Sequence, residues 1–225
     1  MTPSISKLLC NLNTIIKNNW GLLLTITCIL TIRSSFADWY TVPSGSMLPT
    51  IEIGDRVTVN KMAYDLRVPF SDLVIARMEE PSRGDIVVFE SNAAHERLIK
   101  RIVGLPGDTI AMRNEVLYIN GQPQKYLITK ETDSEVLFTE YLGELQHTIR
   151  IDKARPSTHG NLTSVTIPDD YYLVMGDNRR NSADSRFYGL VPRAELRGKA
   201  DRVAFSLDYD NYYLPKRERF ALNLY

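Results

Sequence analysis

From residue 40 onward the apolar positions fall in short runs rich in Val, Ile, Tyr and Phe, and Gly-Asp pairs cut these runs apart at Gly54-Asp55, Gly84-Asp85, Gly107-Asp108 and Gly176-Asp177. Glycine reaches backbone conformations that other residues avoid, and aspartate bonds to its own main chain, so such pairs mark turns between strands. The runs predict strands over 56–60, 85–90, 97–103, 109–113, 115–119, 171–174 and 202–207. Asn120-Gly121, between VLYI and QPQKYLI, predicts a hairpin with a two-residue turn. Short strands at regular spacing predict a mainly β fold of sandwich or barrel type. The stretch 111–168 is more polar and less regular, and is expected to be a β-rich insertion packed beside a core made of 38–110 and 169–225.

A different pattern precedes these strands. Residues 20–32 carry no charge, and with Ser34, Ser35, Phe36 and Ala37 the insertable stretch is roughly 17 to 19 residues, near the lower limit for a helix that spans a bilayer. The expected transmembrane anchor is 18–37, after a short segment 1–17. Lys7 and Lys17 precede it while Arg33 and Asp38 follow, so the positive-inside rule puts 1–17 in the cytoplasm and the rest outside. The same residues also allow a secretory signal, because Ser35-Phe36-Ala37 sets small residues at the two positions that cleavage requires. Cys10 and Cys28 both lie in this leader and would stand about 27 Å apart on a continuous helix, too far to bridge. The folded domain is thus expected to hold no disulfide and no thiol, which excludes a cysteine protease and a thiolate metal site.

Composition narrows the chemistry further. A chain of 225 residues that is 44% apolar has enough material for a real core, and 27 basic against 27 acidic residues leave no basic excess to favour a nucleic acid. His95, His147 and His159 sit in no motif and are expected to be solvated or loop residues, which argues against a Ser-His-Asp triad and a histidine metal site. A serine activated by lysine remains. PSGSMLPT at 43–50 offers Ser46 on a Gly-containing, Pro-bounded turn, and LIKRIVGLPGD at 98–108 sets Lys100 among Leu98, Ile99, Ile102 and Val103. A serine hydroxyl is a weak nucleophile until a base takes its proton, and lysine is such a base only where burial lowers its pKa. On a strand, Leu98, Lys100 and Ile102 share one face and Arg101 points to the other. The alternative for Lys100 is a strand lysine whose head snorkels to water.

Four stretches in this order, PSGSMLPT at 43–50, RGDIVVF at 83–89, KRIVGLPGD at 100–108 and GDNRRNSADSRFYGLVP at 176–192, resemble the ordered sequence boxes of bacterial type I signal peptidases. The resemblance covers 40–108 and 171–205 and implies an all-β catalytic core, a β-rich insertion and an anchor retained beside the site. It implies Ser46 as nucleophile and Lys100 as general base, with the Ser46 N–H and the Ser44 hydroxyl as the oxyanion hole. Ser182 then orients Lys100 through a hydrogen bond, Asp184 and Arg186 form a buried ion pair supporting the site, and Tyr40, Val42, Val57 and Ile99 line small substrate pockets. Met47 and Pro49 shape the nucleophile turn, and Asp177, Asn178 and Arg179 hold the turn of the last box. Tyr188 stands where the family usually carries Trp.

The activity so implied is removal of signal peptides from exported preproteins by a cut after a small residue, at an Ala-X-Ala type site, without a metal or organic cofactor. Its partners would be those signal peptides, the lipid bilayer and the export translocon, at the bacterial inner membrane with the catalytic domain outside. Family members with two spans are common among Gram-negative bacteria, whereas this sequence has room for one. Two other readings stay open: a dedicated Ser-Lys maturation peptidase of a pilus, conjugation or other export system, and a catalytically silent membrane-tethered β domain that binds partners.

Overall fold

The computed structural model describes residues 5–224, and among them the side chains of 16–31, 33, 34 and 36–224. The side chains of Lys7, Cys10 and Ser35, which bear on the reading of the leader, lie outside these. Helix α1 (Ile5–Ser35) leads into strand β1 (Ala37–Thr41), so the run expected as an anchor is helical up to Ser35. Asn19 leaves helical geometry (φ −119°) and kinks α1. Thr25, Thr27 and Thr31 interrupt the apolar run, each returning its hydroxyl to the carbonyl four residues back at 2.8 to 2.9 Å. Among the described residues no helix is long and apolar enough to cross a membrane. The Trp20, Leu22, Leu24, Ile26 and Ile29 side chains are exposed and take no part in the core.

The strands that follow are β2 (Asp55–Asn60), β3 (Ile86–Ser91), β4 (Glu96–Gly104), β5 (Thr109–Arg113), β6 (Val116–Ile119), β7 (Lys125–Glu131), β8 (Glu135–Leu142), β9 (Leu145–Asp152), β10 (Leu162–Thr166), β11 (Tyr171–Met175) and β12 (Leu196–Asp208). The largest sheet has the order β1–β2–β12–β3–β4–β11, antiparallel throughout, with short strands Val191–Pro192, Leu214–Pro215 and Leu222–Asn223 on its flanks. Two smaller sheets lie between its halves in sequence, β10–β5–β6 with Gln122–Pro123, and β7–β8–β9, and a two-stranded ribbon of Asp65–Arg67 with Val74–Arg77 lies between β2 and β3 in sequence.

The continuous apolar reading of β3, IVVF, has a direct cause: both faces are covered, and a strand covered on both sides cannot alternate. Ile86 and Val88 enter a cluster with Val42, Met47, Ile51, Val57, Val59 and Val203. Val87 and Phe89 enter a second with Tyr64, Ile102, Tyr172, Val174 and Leu196. A third cluster, of Val103, Ile110, Met112, Leu117, Leu142, Leu173 and Met175, ties the ends of β4 and β11 to the smaller sheets.

The expected hairpin forms in part. Asn120 (φ 52°) and Gly121 (φ 79°) make the two-residue turn, and Ile119 faces Gln122 across it. One more main-chain bond, from the Gln124 N–H to the Leu117 carbonyl at 2.8 Å, follows Pro123; the Leu117 N–H then donates to the Tyr126 hydroxyl at 3.1 Å, and Lys125–Glu131 pairs with Glu135–Leu142 instead.

At Gly54 the conformation is obligatory. Its φ of +94° disfavours any side chain, and a Cβ there would lie 2.1 Å from the Leu207 carbonyl oxygen. Gly54→Ala is expected to lower unfolding stability by more than about 1 kcal/mol in urea titration. A variant as stable as the parent would contradict this reading of the turn.

Candidate active site

The turn after β1 is pinned from below. Met47 and Ile51 are fully buried, and the Ile51 N–H donates to the Met47 carbonyl, so Ser46 sits at the lip of the core at 8% exposure. Asn178 secures the same turn from the side, its N–H donating to the Ser46 carbonyl at 3.1 Å and its Nδ2 to the Gly45 carbonyl at 2.8 Å. The Leu48-Pro49 peptide is cis.

Lys100 arrives from β4, opposite Val87 of β3. Leu98 and Ile102, two residues to either side, pack with the Val87 and Phe89 cluster, so the lysine stem shares an apolar face. Lys100 is 2% exposed, and its Nζ reaches Ser46 Oγ at 2.9 Å and the Ile99 carbonyl at 3.0 Å. Burial carries its pKa from the ordinary 10.5 down to about 8, against the opposing charges of Asp184, Glu96 and Asp177. The snorkelling alternative does not describe this lysine.

Behind the lysine, Asp184 accepts from Arg186 Nε and Nη2 at 2.8 and 2.7 Å, from the Gly176 N–H at 2.9 Å and from the Ser182 hydroxyl at 2.8 Å. Burial alone would raise the Asp184 carboxyl, but the Arg186 guanidinium and these donors keep it below the usual carboxylate range. Ser182 therefore bonds Asp184, where the resemblance implies a bond to Lys100; an ionised carboxylate is the stronger acceptor. Ser182 still lies close to the nucleophile. A Cβ on Gly176 would sit 2.2 Å from Ser182 Oγ and 2.5 Å from the Ser46 carbonyl oxygen, so only glycine fits between them.

Ser44 is exposed, and among the described residues neither its hydroxyl nor the Ser46 N–H has a hydrogen-bond partner. Tyr40, Val42, Val57 and Ile99 come together around one cleft of ≈ 330 Å³, with Val88 at its side. Arg97 also lines it, a residue that motif reading passes over; its guanidinium lies 4.5 Å from the Tyr40 ring centre and pairs with Glu90.

Two further features were not read from sequence. Arg101 points away from Lys100, as alternation requires, yet it is buried and forks onto Asp177 with Nε and Nη2 at 2.9 and 2.8 Å. His147, expected in solvent or a loop, belongs to β9 with its side chain 5% exposed, 3.2 Å from a Glu140 oxygen and 3.7 Å from an Asp177 oxygen. His95 and His159 are exposed, as expected. Among the described residues no group of His, Cys, Asp and Glu has the arrangement of a metal site.

Comparison with known proteins agrees with the family resemblance. The family described as "Signal peptidase, peptidase S26" matches residues 16–205. A signal peptidase I of Pseudomonas aeruginosa is 39% identical over an alignment of 194 positions, gaps included, that covers 79% of this chain and 68% of that protein. One from Pseudomonas fluorescens is 36% identical over the same shares of the two chains. A crystal structure of a signal peptidase I from Enterococcus faecalis has 30% identity and a TM-score of 0.35, covering 54% of this chain and 97% of that one. Because the family model spans residues 16–205, most of its length, the chain belongs to the signal peptidase family, peptidase S26, whose members are serine endopeptidases.

Proposed function

We propose that this protein removes signal peptides from exported preproteins with Ser46 as nucleophile and Lys100 as general base. The observation that carries the reading is the 2.9 Å contact between Ser46 Oγ and a buried Lys100 amine whose pKa is lowered to about 8. Neutral Lys100 takes the Ser46 proton as Oγ attacks the substrate carbonyl. The oxyanion meets the unpartnered Ser46 N–H and the Ser44 hydroxyl, which is free to turn toward it. The Lys100 ammonium returns its proton to the leaving amine, and an ester to Ser46 remains. Neutral again, Lys100 activates a water that hydrolyses this ester and frees the serine.

The cleft of Tyr40, Val42, Val57 and Ile99 suits a substrate lying as an extended strand beside Ser46. In such a pose, residues one and three before the cut point the same way, and apolar walls of limited volume favour small side chains at both, an Ala-X-Ala type site. Ser182, Asp184 and Arg186 support the base, 38–110 and 169–225 form the catalytic unit, and 111–168 is an insertion on it.

Anchoring belongs to α1. Its charge-free stretch 20–32 with exposed apolar side chains supports a helix lying in the inner membrane, with Lys7 and Lys17 on the cytoplasmic side and the catalytic domain outside, beside the export translocon. The threonine hydroxyls, already bonded within the helix, reduce the cost of placing that stretch in lipid.

Detergent-solubilised full-length protein is expected to cut a secretory precursor after a small residue, located by mass spectrometry, and Ser46→Ala to lower the rate by on the order of 10³-fold or more. Cleavage by Ser46→Ala at the parental rate would contradict the assignment. The Lys100 titration also leaves a mark on stability. Folding lowers this pKa, so between about 8 and 10.5 the unfolded chain binds the additional proton and stability rises with pH. The rise is expected to reach about 3 kcal/mol across that window and to be missing in Lys100→Met, as read by urea titration of both proteins. Superimposable profiles would show that Lys100 folds with an ordinary pKa.

A further inference from the structure

Asn178 grips the Ser46 and Gly45 carbonyls, and its two neighbours are each buried and each held from elsewhere. Asp177 takes the Arg101 fork from β4 and accepts from the Thr50 hydroxyl, in the nucleophile's own turn, at 2.6 Å. Arg179 lays its guanidinium on Glu140 of β8, which is wholly buried and also accepts from the Tyr126 hydroxyl of β7 at 2.6 Å. His147 of β9 stands between the Glu140 and Asp177 carboxylates. The main chain repeats the connection: the Arg150 N–H donates to the Asp177 carbonyl at 2.8 Å, and the Arg179 N–H to the Arg150 carbonyl at 3.0 Å. β8 and β9 thus each set polar groups against the loop that holds the nucleophile, and β7 braces Glu140 through Tyr126.

A buried ion pair is a poor way to stabilise a fold, because taking both charges out of water offsets most of their attraction. It is directional, however, and a fork between Arg179 and Glu140 admits few positions of the intervening chain. We propose that the β7–β8–β9 sheet is a positioning element for the nucleophile, with Glu140 and His147 as positioning residues that act on Ser46 through Arg179, Asp177 and Asn178. This rests on Ser46 being the nucleophile. The sheet, set between two motif-bearing parts of the chain, then has a part in the rate without touching substrate.

The test uses full-length protein in detergent and a secretory precursor, comparing Glu140→Gln, which keeps the shape and removes the charge, and His147→Leu with the parent. Thr129→Val, on the same sheet but at an exposed hydroxyl pair with Thr139, serves as control. Because misplacing reacting atoms by about 1 Å costs on the order of 10²-fold, kcat is expected to fall about tenfold or more in both variants. KM should stay within about twofold and the melting temperature of the folded fraction close to the parent's, with Thr129→Val unaffected. Parental kcat in folded variants, or a loss of kcat that only follows loss of folded protein, would overturn the proposal. Should Glu140→Gln fail to fold, His147→Leu decides alone. A Ser46→Ala protein that still cleaves would remove the reading beneath it, an outcome distinct from an inert Ser46→Ala beside unimpaired Glu140 and His147 variants.

Discussion

A lysine ammonium cannot act as a base, and the surroundings of Lys100 make its ammonium easier to deprotonate than an ordinary lysine's. Its head is out of water because β3 and β4 are covered where they face each other, with Val87 opposite the lysine and Leu98 and Ile102 along its face. Burial alone would not suffice with a free carboxylate nearby, since an unpaired Asp184 would draw Lys100 into an ion pair and hold its proton. Arg186 occupies that carboxylate with two hydrogen bonds, Ser182 and the Gly176 N–H add two more, and the residual pull on Lys100 is weaker than the push of desolvation. The Asp184–Arg186 pair thus has a physical reason to be present that does not depend on its own contribution to stability.

The hydroxyl is placed with similar economy. Met47 and Ile51 anchor the turn in the core, Asn178 fixes its carbonyls, and Gly176 leaves room for the chain of Ser46 to pass beside Ser182. Membership of the signal peptidase family gives this arrangement a context in serine peptide-bond hydrolysis.

How far the sequence was legible follows from the range of the interactions. Strands with local punctuation, such as β2 after Gly54-Asp55 and β3 after Gly84-Asp85, fall within about a residue of the expected bounds. β12 was legible only from residue 202, because Arg197, Lys199 and Asp201 break its apolar run, while the structure carries it from Leu196 through bulged pairing with β2 and β3. β8 and β9 were not resolved: their inward Glu140 and His147 replace apolar residues on the face that would have shown alternation. Tyr40, Val42, Val57 and Ile99 meet at one cleft, and Arg97, two residues before Ile99 on β4, lines it as well, where no motif marks it. Arg101–Asp177 and Arg179–Glu140 link residues 76 and 39 positions apart, and nothing local announces such partners.

The most direct measurement of the central claim, a buried neutral amine serving the Ser46 hydroxyl, is the pH dependence of kcat/KM for a secretory precursor, which reports groups titrating in the free enzyme. Lys100 must lose its proton to act, so the rate is expected to climb with pH through an apparent pKa near 8 and to decline on acidification. A rate already at its plateau by about pH 7, as for a base with the ordinary histidine pKa of about 6.5, would contradict it.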